Sequence, residues 1–170
     1  PITSILFALG YSKEKIIETF YSSSKYIFDE NKKNWTTDFL IENYKRPIKL
    51  TFDLVDAKSG KKVLDKGSKL NLIIAKKLQE KGLKTISISN EEIIGKYLAK
   101  DIKNKNGEII IGAGFDITEE LLNKLVTNDE KLLNIVNIDP INKGPYILET
   151  LKIDKNTSKS EALNDIYKVL

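Results

Sequence analysis

The chain has 170 residues, 41% hydrophobic and 31% charged, with a net charge of +4. It holds no Cys and no His, which excludes disulfides, thiolate metal sites, cysteine nucleophiles and the commonest general base. No apolar run reaches the roughly 18 residues of a membrane helix, no secretory signal is evident, and the expected compartment is the cytoplasm.

In chain order, Ile2 to Leu9 form an apolar segment that Gly10 is placed to end. Ser12 is expected to cap a helix carrying Glu14 near its start, with Ile16, Ile17, Phe20 and Tyr21 at helical spacing. Tyr26 to Phe28 read as a short strand and Asp29 to Asn34 as a turn. Trp35 to Tyr44 fit either helix or strand.

An internal repeat follows. At an offset of 47 residues, Gly60 falls on Gly107, Gly67 on Gly114, Leu70 on Ile117 and Leu78 on Leu125. Each copy, about 48–89 and 95–138, reads as strand, glycine turn, strand, connection, helix and strand. Asn71 and Thr118 are the expected caps of the two helices, with Glu119 and Glu120 favourable in the first turn. Asn90 is expected to cap a connecting helix running to Leu98. Two copies are too few for an open solenoid, so they are expected to pack as pseudo-symmetric halves of one α+β unit.

Beyond Lys143-Gly144-Pro145, Tyr146 to Ile153 alternate as a strand, and Ser158 to Glu161 have capping-box spacing before a helix through Leu170. The absence of Met, the start at Pro1 and an apolar stripe still running at Leu170 lead to the expectation of a piece of a larger protein.

The chemical motifs are sparse. Gly112-Ala113-Gly114 between a strand and a helix invites a phosphate-loop reading, but the third glycine of the fingerprint is replaced by Ile117, and Asp65 holds the place of Gly112 in the first copy. The acid pairs Glu91/Glu92, Glu119/Glu120 and Asp129/Glu130 point about 100° apart on a helix and fit helix N-termini better than a shared proton or metal. Trp35, Tyr26, Phe28 and Tyr44 could stack bases, though aromatics on short strands are more often core. Lys152, Lys155 and Lys159 are the candidate nucleic-acid contacts. No catalytic, cofactor-binding or metal-binding residue is assigned. Charges are even: six basic and six acidic over 1–45, 17 and 14 over 46–140, five and four over 141–170. This even spread predicts no strong counterion-release binding.

The two ends carry a resemblance. PITSILFALGYSKEKIIETFY, through Pro1, Thr3, Leu6, Ala8 to Tyr11, Glu14, Ile16 and Phe20, resembles the P-V-T-x-x-L-x-A-L-G-Y-x-x-E-x-I-L-x-x-F segment of bacterial DNA-directed RNA polymerase β subunits. GPYILETLKIDKNTSKSEALNDIYKVL resembles the later G-P-Y-I-x-E-T-L-x-x-D-x-T segment of the same family, with Asn156 where Pro is frequent. Between them, YKRPIKLTFDLVDAKSGKKVLDKGSKL is similar to the lineage-specific lobe insertion of proteobacterial β subunits.

The resemblance implies a discontinuous helical and strand-containing lobe portion, 1–45 with 141–170, and an inserted, internally duplicated α+β domain, 46–140. Replacing 46–140 by a Gly-rich bridge is accordingly expected to leave a folded remnant. It implies a role in shaping the downstream DNA channel and in docking regulators, with β′, α and σ subunits and DNA as partners. Nucleotidyl transfer in that family uses Mg2+ held by the β′ subunit, so no catalysis by this chain is implied. The alternative is an independent protein-interaction module that shares the duplicated unit.

Overall fold

The computed structural model describes residues 2–127 and 130–138, and these form an α+β structure. The elements, in order, are α1 (Ile2–Ala8), α2 (Lys13–Phe20), β1 (Ser23–Asp29), β2 (Asn34–Asp38), a 3-10 turn (Ile41–Tyr44), β3 (Ile48–Lys49), β4 (Leu54–Asp56) and β5 (Lys62–Leu64). They continue with β6 (Lys69–Leu70), α3 (Leu72–Glu80), β7 (Thr85–Ile88), α4 (Asn90–Ile93), β8 (Ile102–Lys103), β9 (Ile109–Ile111), α5 (Glu119–Thr127) and β10 (Leu132–Val136). The strand and helix expected after Tyr146 lie outside the described residues. Among those described, no helix is long and apolar enough to cross a membrane.

Local chemistry accounts for the helix starts. Ser12, Asn71 and Thr118 each accept a backbone N–H of the first turn, from Lys15, Ile74 and Leu121 at 3.2, 2.9 and 3.2 Å. The connecting helix departs from expectation. It ends at Ile93, and its cap is Ser89, whose Oγ accepts from the Glu92 N–H at 3.3 Å. Asn90 is engaged elsewhere, and Ile94 leaves the helical region at ψ 130. The ambiguous stretch from Trp35 to Tyr44 divides into β2 and the 3-10 turn.

The elements recur at the offset of the sequence repeat. β5 runs 62–64 and β9 109–111; α3 runs 72–80 and α5 119–127; β7 begins at 85 and β10 at 132. Gly67 and Gly114, 47 residues apart, stand at φ +89 and +90, a region that costs other residues about 1–2 kcal/mol.

The chain divides into two compact units. The first contains, among described residues, 2–23, 96–117 and 134–138. Its core is Phe7, Ala8, Ile16, Ile17 and Tyr21 of the helical segment, with Ala99, Ala113 and Val136. The apolar faces of two short helices are too small to close a core alone, and they are covered here by residues from the far side of position 46. The packing therefore runs across the expected 45/46 boundary. Residues 141–170, the expected partners of α1 and α2, lie outside the described residues.

The second unit contains 24–95, 118–127 and 130–133. It is built on an antiparallel sheet in the order β10-β1-β2-β7-β4-β5, with Phe28 opposite Trp35, Trp35 opposite Ile88, and Val55 opposite Ser87. A separate ribbon pairs β3 with β6, Ile48 opposite Leu70 and Lys49 opposite Lys69. The first copy of the repeat thus lies within one unit. The second is divided, its β8–β9 hairpin in the first unit and α5 in the second. Ala99 and Ala113 of the second copy belong to the core of α1 and α2.

Candidate functional site

The glycine loop is the first place to look for chemistry, and two of its donors are already spent. Asp101 Oδ1 accepts the Ala113 N–H at 2.6 Å, and the Gly114 N–H donates to the Leu98 carbonyl at 2.8 Å. A carboxylate thus occupies the place a phosphate would need, and Ala113 is fully buried beneath it. The Asp101 N–H in turn donates to Glu14 Oε1 at 2.7 Å, tying α2 to the loop. The arrangement is an acidic latch that repels anions. Lys13 lies over the Phe115 ring, 5.6 Å from its centroid, at the edge of the same loop.

A small groove lies alongside, bordered by Glu14, Glu18, Tyr21 and Lys100. Glu14, one of its two carboxylates, is held by the Asp101 amide. Lys15 lies 4.0 Å from Glu18 on the exposed face of α2, an ordinary surface pair.

Trp35 and Tyr26 belong to the core, and Phe28 and Tyr44 are half-buried against other rings. Trp35 is 0% exposed and Tyr26 7%, and Phe28 meets Trp35 edge-on with centroids 5.1 Å apart. Tyr44 stacks on Phe39 at 5.3 Å. Burial, then the Glu92 carboxylate and Tyr44, push the Tyr26 phenol above the ordinary tyrosine range. Burial and then Glu92 do the same to Tyr44. None of these rings forms a free stacking platform.

Glu91 and Glu92 lie in the first turn of α4, and Glu119 and Glu120 in that of α5, where they complement the helix dipole. Asp129 lies outside the described residues, as do Lys152, Lys155 and Lys159. Among the described residues, no group of three or more metal-ligating side chains converges. Sequence reasoning missed Asp101, Glu14 and Asn90 as structural hubs. Each acts over a long separation in the chain, and no local spacing signals it.

No protein-family profile matches the chain. Curated relatives do, over its whole length. It is 39% identical over 171 aligned residues to the DNA-directed RNA polymerase subunit beta of Rhizobium leguminosarum bv. trifolii (strain WSM2304). It is 42% identical over the same span to that of Chelativorans sp. (strain BNC1), and 36% to that of Caulobacter vibrioides (strain NA1000 / CB15N). In each case 100% of this chain and 12% of the relative are covered, so the chain spans about an eighth of the length of the curated relatives it matches. The resemblance drawn from the two ends and from the stretch between them is matched over the whole chain, which is similar to one segment of bacterial RNA polymerase β subunits.

Proposed function

We propose that this chain, as a segment of the family of bacterial DNA-directed RNA polymerase β subunits, serves in DNA-templated RNA synthesis. The observation that carries the reading is the 36–42% identity over the full chain to one stretch of those subunits. Within the enzyme the segment acts as the lobe, a wall of the downstream DNA channel. Residues 46–140 are its insertion and offer a surface to transcription regulators. The partners are the β′, α and σ subunits, with DNA reached through the assembled enzyme, in the cytoplasm. The chain contributes architecture; its described polar side chains cap helices and latch loops, while nucleotidyl transfer belongs to the parent complex and its Mg2+-holding subunit.

An exposed apolar stripe is compatible with membership in a larger body. Ile2 and Ile5 of α1 are each 54% exposed and Leu9 67%, three residues at helical spacing on one side of α1, while Phe7 on the other is buried. Such a stripe fits a seam with residues 141–170, the expected partners of α1, or with further protein. The test is immunoprecipitation from source-cell lysate with an antibody to this chain. The expected capture is a polypeptide far larger than 19.3 kDa together with the β′, α and σ subunits. A free species near that mass with unrelated partners would overturn the reading and favour an independent interaction module.

A further inference from the structure

The copies of the repeat differ sharply in charge. Residues 48–89 carry ten lysines against four acidic residues, a net +6, whereas the matching stretch 95–136 carries six against seven, a net −1. The even spread read over 46–140 was a cancellation between the two. β4, β5, α3 and β7 have counterparts in β8, β9, α5 and β10, so those elements do not require the positive charge, whereas the β3–β6 ribbon is matched in the second copy only by an isolated bridge between Tyr97 and Asp116.

Three of the four acidic residues of the first copy are committed within it. Asp65 pairs with Lys62 at 2.6 Å, Asp53 accepts the Lys66 N–H at 2.7 Å, and Asp56 accepts the Lys58 N–H at 2.9 Å and the Ser59 hydroxyl at 3.1 Å. Lys62 apart, the cations are not given such partners. Lys49 and Lys69 stand directly opposite in the β3–β6 ribbon, both exposed, and neither has a carboxylate partner among the described residues. Like charges in that position destabilise a ribbon. Forty-seven residues on in the sequence stand Lys96 and Asp116, of opposite charge, and there Asp116 lies opposite Tyr97. Lys45 and Arg46 lead into β3 and Lys66 precedes β6, so more positive charge adjoins the pair in the chain.

We infer that the first copy presents a polyanion-binding surface centred on Lys49 and Lys69, and that its ligand is the sugar-phosphate backbone of nucleic acid. A phosphate between the two ammonium groups turns their repulsion into two attractions. The composition favours a nucleic acid over an acidic protein. Lysines engage phosphates as single mobile charges without reading sequence. A protein partner would need an apolar core to its interface. In β3, Ile48 points to the opposite face from Lys49 and so supplies no such anchor between the lysines. The inference stands on charge and register, independently of the reading proposed above. It places nucleic-acid contacts at residues other than Lys152, Lys155 and Lys159.

The test is fluorescence anisotropy of the full chain with a labelled 20-base-pair duplex of arbitrary sequence, from 20 to 200 mM KCl. Binding is expected at low salt, with log affinity falling linearly against log salt. Lys49→Gln/Lys69→Gln is expected to weaken binding about tenfold at 50 mM and to reduce the salt slope by about 1.8, two phosphate contacts' worth. The control Lys103→Gln/Lys105→Gln, exposed lysines of the second copy, should leave both within about twofold. Unchanged Trp35 emission establishes that the variants are folded. Absence of duplex binding at 20 mM, or equal behaviour of the two double variants, would overturn the inference. So would poly-glutamate binding that the Lys49/Lys69 change abolishes while duplex binding persists.

Discussion

The indole N–H of Trp35 in β2 donates to the side-chain oxygen of Asn90 in α4 at 2.9 Å, across 55 residues of chain. Trp35 is wholly buried, so the bond satisfies a donor that water cannot reach. It also explains why Ser89, one residue earlier, caps α4.

Removing that acceptor should be costly. Asn90→Ala leaves the indole N–H unpaired and is expected to lower stability by about 1–3 kcal/mol. Asn90→Asp retains an acceptor and should cost less. Trp35 is the sole tryptophan, so urea unfolding followed by its emission reports this site directly.

The latch at Asp101 makes a second case. Asp101→Ala strips the buried Ala113 N–H of its acceptor and is expected to destabilise by about 1–3 kcal/mol. Glu14→Gln keeps an oxygen for the Asp101 N–H and should be milder. Equal midpoints for Asp101→Ala and the parent chain in chemical denaturation would show that the latch contributes nothing.

The turn glycines separate a backbone requirement from a coincidence. At Gly67 a Cβ meets nothing within 4 Å, so the cost of Gly67→Ala, about 1–2 kcal/mol, is that of its left-handed backbone alone. Gly112 is not left-handed, and a Cβ there meets the Phe115 ring at an ordinary 3.5 Å. Gly112→Ala should therefore be close to neutral by thermal unfolding, and a larger loss than at Gly67 would contradict the geometry.

Tyr26 and Tyr44 predict alkaline sensitivity. Both phenols titrate higher in the folded chain than their ordinary value near 10. Above pH 10 the unfolded state therefore releases protons that the folded state retains. Stability is fully present below that pH and is lost as pH rises, by up to about 1.4 kcal/mol per pH unit for each tyrosine. Tyr26→Phe should flatten that slope when urea midpoints are measured between pH 9 and 11.5.

The core of the first unit bears on the expected division at 45 and 141. Excision of 46–140 removes Ala99, Ala113 and Val136 from the cluster around Phe7, Ile16 and Ile17. The remnant is expected to be molten, with weak near-ultraviolet dichroism. A sharp cooperative transition would instead support the division at 45 and 141.

What was legible in the sequence was local. Ser12, Asn71 and Thr118 announce their helices because a cap and its amide lie three residues apart. The repeat announced its turns because Gly67 and Gly114 meet the same backbone demand. The burial of Trp35 agrees with the tendency of aromatics on short strands to be core, although the stretch from Trp35 fits either helix or strand by sequence. Long-range partners were not legible: Glu14 reaches Asp101 across 87 residues, and Ala99 joins the core of α1 and α2 through folding alone. The charge difference between the copies was present in the sequence, but windows that spanned both copies averaged it away.

The most direct test of the functional account is immunodepletion. A source-cell extract that supports promoter-directed RNA synthesis is passed over an antibody to this chain, and transcript yield is compared with a mock-depleted extract. Loss of synthesis, restored by adding back the purified bacterial polymerase of the source cells, is the result the account predicts. Undiminished synthesis from an extract fully cleared of the antigen would contradict it.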